Sequence, residues 1–168
     1  MKRYAILTVG ILLMATGAFA QASASATADA TATIITPISI TRTADLAFGT
    51  LAVSNTAAGT VVVTAAAAPT RTPAGGITTF GAGFNSAAFT VAGEAGYTYA
   101  VTLGGGATVT DGSGNSMAVN TLTASCAAGC ALGTLYVGGT LNVPAGQAAG
   151  SYSSANAGGA PFTVTVNY

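Results

Sequence analysis

An all-β sandwich is the fold class this sequence predicts, and three observations predict it. Short segments rich in Val, Thr, Tyr and Phe recur at near-regular spacing, with Gly, Pro, Asn and Asp clusters between them. After the first 20 residues, no stretch shows the 3.6-residue apolar period of a helix. Two stretches, residues 21–34 and 162–168, alternate strictly between apolar and polar side chains, which is the period of a strand with one buried face.

In the first of these, Ala occupies positions 22, 24, 26, 28, 30 and 32 and Ile34 keeps the register, while Ser, Thr and Asp29 face the other way. Ala is a modest strand former and its methyl buries little area, so such a strand needs a host sheet. The candidate exchangeable, or donor, strand is therefore Ala22, Ala24, Ala26, Ala28, Ala30, Ala32 and Ile34. Pro37 cannot donate to a ladder and belongs at an edge, bulge or strand start, after which Ile38 and Ile40 resume the alternation. A turn is expected at 43–45, followed by strands over 46–51, 60–64, 77–80, 88–91, 97–103, 108–110, 117–123, 134–143 and 162–168. Turn formers occupy 54–59, 73–76, 93–96, 111–115, 144–146 and 155–161. The expected core is Leu46, Phe48, Val62, Phe89, Val91, Tyr99, Val101, Leu135, Val137, Leu141, Phe162, Val164 and Val166, in about seven to nine strands. The last strand is the cleanest, with Phe162, Val164, Val166 and Tyr168 on one face and Thr163, Thr165 and Asn167 on the other. Its position at the end of the sequence predicts a terminus tied into the sheet.

Residues 1–20 have the layout of a secretory signal peptide: Lys2 and Arg3, an apolar run over 5–15, and the small-x-small pattern Ala18-Phe19-Ala20. The run is shorter than the ~20 residues a spanning helix needs, so the chain is expected to be exported and not membrane-spanning. Residues 21–168 are enough for one domain with its own core. Their charges are Arg42 and Arg71 against Asp29, Asp45, Glu94 and Asp111. With no basic patch, nucleic acid is excluded as a partner, and so sparse a charge leaves little repulsion between copies.

Cys126 and Cys130 in CAAGC are expected to form a disulfide, because they are paired in an exported chain without other Cys. Zinc or redox chemistry is the alternative, but the sequence has no His and the spacing is not C-x-x-C. Nucleophilic catalysis lacks its commonest base, and no Lys follows the leader. Glu94 and Asp111 could be imagined as a glycosidase pair, but both sit in turns, where solvated carboxylates are the plainer expectation. Asp111, Ser113 and Asn115 have the alternate oxygen spacing of a calcium loop without its Gly and closing Glu, and a self-capping hairpin turn accounts for the same residues. Tyr97, Tyr99, Tyr136 and Tyr152 suggest either a sugar platform or sheet packing, and their place in or beside strands favours packing. No catalytic residue, metal ligand or cofactor is assigned.

Three blocks carry a resemblance: PISITRTADLAFGTL at 37–51, FTVAGEAGYTYAVTL at 89–103, and LYVGGTLNVPAGQAAGSY at 135–152 followed by FTVTVNY. They resemble the bacterial domain-of-unknown-function 4402 family of exported proteins. The closing VPAGQ, Gly-x-Tyr and Val/Thr strand are also similar to the spore coat protein U and archaic chaperone-usher pilin domains. That second resemblance implies an immunoglobulin-like, pilin-like sandwich completed by an N-terminal strand from the next subunit, with an exported chaperone holding the open groove until assembly. Two departures accompany it: the donor face is Ala where strong donors carry larger side chains, and residues 153–161 separate Tyr152 from the last strand. The expected function is a structural or interaction protein of the bacterial cell surface, a pilin-like or coat-like subunit that assembles by strand addition with itself or related subunits. It would act in the periplasm, at the cell surface or outside the cell. The alternative is a monomeric secreted binding module whose own N-terminal strand closes its sheet. A small outer-membrane barrel, suggested by terminal Tyr168, is disfavoured by strands short of the ~10 residues that barrels use.

Overall fold

The computed structural model describes residues 23–168, so the expected leader, Gln21 and Ala22 lie outside it. The chain divides into two units, Met1–Thr33 and Ile34–Tyr168. In the first, residues 23–33 are exposed and form neither strand nor helix. The second holds eleven strands: β1 (Ser39–Ala44), β2 (Thr50–Val53), β3 (Gly59–Val63), β4 (Arg71–Gly75), β5 (Ile77–Phe80), β6 (Ala87–Ala92), β7 (Ala100–Gly104), β8 (Ala107–Thr110), β9 (Ser116–Ala124), β10 (Gly133–Val143) and β11 (Thr163–Asn167). All are paired antiparallel, and no helix occurs among the described residues. The fold is all-β.

The strand β10 organises the largest sheet. Along one edge it pairs first with β6, through Val137, and then with β3, from Gly139. Along the other it pairs with β9, which pairs in turn with β8. The change of partner falls at Gly138, where a Cβ would overlap the backbone of Val63 to Ala65 as that chain leaves β3, so only glycine fits this crossing. Opposite it, β9 bulges between Asn120 and Thr123, and Thr121 takes a φ of 48°, a left-handed conformation that costs a β-branched residue energy. β1 and β4 form the outer strands beside β6 and β3, and the pairs β7–β11 and β2–β5 stand as separate ribbons.

Two apolar clusters join the ribbons to the large sheet. Val91, Tyr99, Cys130, Leu135 and Val166 are buried together with flanking Ile38, Ile40, Phe89, Val101 and Val164, which ties β7–β11 to β1, β6 and β10. Val61, Ile77, Met117, Val119, Leu141 and Val143 form the other, against Leu46, Phe48, Leu51 and Val53 around β2–β5. A fully buried Val or Leu contributes about 1.5–3 kcal/mol by leaving water, so these clusters carry most of the favourable energy. Arg71 of β4 adds a polar tie: its guanidinium donates to the carbonyls of Phe48, at 3.0 Å, and Gly81, at 2.8 Å, and lies over the Phe84 ring.

Four expectations need correction, the first being number: the described residues form eleven strands where about seven to nine are expected. Val62 is exposed, because the alternation in β3 buries Val61 and Val63 instead. Residues 73–76, expected as a turn, largely belong to β4, where Pro73 is accommodated because β4 pairs only with β3 and its other edge needs no donor. The turn expected at 43–45 begins later, since β1 runs to Ala44, and the strand expected over 46–51 is displaced to Thr50–Val53, with Ala47 held by a single bridge to Asn85.

Candidate functional site

Main-chain groups without partners are the chemistry this fold offers, because an open strand edge is a ready hydrogen-bonding surface. Of the candidate donor residues, Ala22 lies outside the described residues, Ala24, Ala26, Ala28, Ala30 and Ala32 are exposed, and Ile34 is 96% exposed. None of the described ones is in a ladder. In the other alternating stretch, β11 pairs among the described residues with β7 alone, with Val166 buried, Phe162 and Val164 half-buried, and Tyr168 exposed.

The far edge of β7 is occupied. Tyr99 and Cys130 exchange both main-chain hydrogen bonds, at 3.0 and 2.9 Å, and the Val101 amide donates to the Ala127 carbonyl at 2.8 Å. The loop that does this is the one closed by Cys126 and Cys130, whose sulfurs stand 2.12 Å apart, at disulfide bonding distance. The bridge therefore holds a short loop in the place of a strand. A loop this small gains little from chain entropy, and its value lies in shape. Of the β7–β11 ribbon, the edge without a ladder among the described residues is that of β11.

At the entry to β1, three distant segments meet. The Thr36 amide donates to a Glu94 carboxylate oxygen at 2.9 Å, and the Thr36 carbonyl accepts from the Tyr168 hydroxyl at 2.9 Å. The same hydroxyl accepts from the Glu94 amide at 2.6 Å. The Tyr168 ring packs edge-on against Tyr97, with centroids 5.7 Å apart. Gly93 makes the approach feasible, since a Cβ there would overlap the Tyr168 hydroxyl. The Thr36 amide holds the Glu94 carboxyl below the usual range. Glu94 sits in the expected turn with its carboxylate in solvent, and in addition it pins a strand entry. No local motif announces this, because the partners are 58 and 74 residues away.

Asp111 behaves as a self-capping turn. Its carboxylate accepts from the Ser113 amide at 2.8 Å, the Asn115 amide at 3.1 Å and the Asn115 side chain at 2.6 Å, while Gly112 and Gly114 supply positive φ. The Asn115 side chain, then the Ser113 amide, hold this carboxyl low. Among the described residues no three His, Cys, Asp or Glu side chains gather as metal ligands. The tyrosines are dispersed: Tyr99 is buried and its phenol is pushed up by desolvation, Tyr97 pairs with Tyr168, and the Tyr152 hydroxyl donates to the Ala148 carbonyl. A depression of about 620 Å³ between β3, β8, β9 and β10 is lined by Thr60, Thr108, Met117 and Asn142 among others, with no charged side chain. No helix of the described residues is long and apolar enough to cross a membrane.

Comparison with known families gives one match, over residues 38–168, to the family described as domain of unknown function (DUF4402). No curated protein and no solved structure matches the chain.

Proposed function

The chain belongs to the DUF4402 family, and for this member we propose a structural role: an exported, pilin-like or coat-like subunit of immunoglobulin-like sandwich type that assembles by strand addition. The observation that carries the proposal is the pairing of two unmet needs. Residues 23–33 expose an alternating Ala face with no ladder of its own, and one edge of β11 has no partner among the described residues. An extended segment from one copy would satisfy both, through main-chain hydrogen bonds, with the methyls at every second position setting the register. Sparse charge removes the electrostatic penalty for bringing copies together. The disulfide-spaced cysteines fit an oxidising compartment, in the periplasm or beyond. No catalysis is assigned to the protein; Glu94 and Asp111 hold turns, and their carboxylates are occupied by neighbouring amides.

Three variants test this. Ala28→Asp and Ala32→Asp place a carboxylate on the donor face, and Thr31→Asp places one on the opposite face. Burying an unpaired charge costs far more than a methyl contributes. Light scattering should find polymers in the wild type and Thr31→Asp, none in the two Ala variants, and the same melting temperature for all four as monomers. A monomeric wild type whose Ala variants melt lower at every concentration would instead identify a self-closing binding module.

A further inference from the structure

We infer that Thr36, Glu94 and Tyr168 form an anchor that sets the boundary of the exchangeable strand, so that the chain up to Ile34 is free to add to a second copy while Thr36 onward stays with its own domain. This rests on the strand-addition function above for its consequence, but not for its existence. Thr36 is the last residue before Pro37, which has no amide to offer, so a ladder entering β1 cannot be held by backbone pairing at that point. Side chains supply what the ladder lacks. The Glu94 carboxylate takes the Thr36 amide and the Tyr168 hydroxyl takes its carbonyl, so both main-chain groups of Thr36 are spent inside the domain.

The geometry is cooperative. The Tyr168 hydroxyl accepts from the Glu94 amide while donating to Thr36, which orients the hydroxyl proton toward the Thr36 carbonyl. A donor segment tethered at the fixed point Thr36 is restrained from sliding by one register step, which would turn the Ala face outward. Two residues before the anchor, Ile34 is 96% exposed. It is the largest apolar side chain of the alternating face and the one with most to gain from a partner's groove. Gly93, Glu94, Thr36 and Tyr168 act as positioning residues for that handover.

Amide exchange followed by NMR at a concentration that keeps the protein monomeric tests the anchor directly. In Glu94→Ala the Thr36 amide should exchange roughly tenfold faster, and Glu94→Gln, which keeps an acceptor oxygen, should restore part of the protection. In Tyr168→Phe, which keeps the ring pair with Tyr97, the Glu94 amide should exchange faster by a similar factor. Amides of β10 should stay unchanged in all three. In the wild type the Thr36 amide resonance should also move with the Glu94 carboxyl titration, and in Glu94→Gln it should not. Unchanged exchange at both Thr36 and Glu94 in variants that keep the wild-type fold overturns the anchor. Polymer dissociation is the second readout, expected to quicken about tenfold in each variant if register is loosened. Absence of polymers in the wild type removes the strand-addition function and the boundary role with it, while the amide data still decide whether the anchor exists.

Discussion

Residues 22–34 and residues 162–168 carry the same alternating pattern, and they end in opposite conditions. The second becomes β11, with a full ladder to β7 and Val166 buried against Val91 and Tyr99. The described part of the first remains exposed with no ladder. Period fixes which face is apolar, but the energy of docking scales with the area that face removes from water. Phe and Val supply that area at positions 162, 164 and 166, whereas a row of Ala methyls supplies little. A weakly apolar alternating segment stays available for an edge it meets later. In the strand-addition function proposed above, that weakness would keep the segment from closing prematurely.

The contrast can be pressed from both sides. Trimming the strong stretch should have the largest effect: Val166→Ala should destabilise the monomer by about 2 kcal/mol, read from denaturant midpoints, because it opens space in a buried cluster. An Ala-level cost below a few tenths of a kcal/mol would mean β11 does not depend on its apolar face. Enriching the weak stretch is the next step down. Ala28→Val adds two carbons to the donor face, about 1.6 kcal/mol at ~0.8 kcal/mol for each buried carbon, and should tighten assembly roughly tenfold with no change in monomer melting. The smallest effect concerns acid. Glu94 and Asp111 are both held below their ordinary values, so each stabilises the fold fully above its unfolded value, 4.5 and 3.8 respectively, and that contribution is lost as pH falls through the lower folded value. Both carboxylates are solvent-exposed, so monomer melting should fall only slightly between pH 5 and pH 3. Glu94→Gln should remove part of that fall and Asp111→Asn another part.

Legibility in the sequence followed the range of the interaction. Asp111 could be read as a turn because its partners, Ser113 and Asn115, lie within four residues. The Cys126–Cys130 pair was legible for the same reason, while its use as a stopper on the β7 edge was not, since Tyr99 is far away in sequence. The tie between Glu94, Thr36 and Tyr168 has no local signature at all. Strand β4 was concealed by Pro73 and by Gly75 at its end, residues that usually mark turns, and its edge position explains why Pro73 is tolerated. In β3 three consecutive valines gave no alternation to choose a face by, and the β10 neighbours Leu141 and Gly139 decided it. The core residues Val91, Leu135, Val137 and Leu141 were readable because each alternates with a smaller or polar neighbour.

Sedimentation velocity on the chain from Gln21 onward, with and without an excess of free peptide 21–34, addresses strand addition most directly. The wild-type protein should sediment as a concentration-dependent series of polymers, and the peptide should collapse that series to a single complex of one subunit with one peptide. A single monomer peak at all concentrations, unaltered by the peptide, would contradict assembly through this strand.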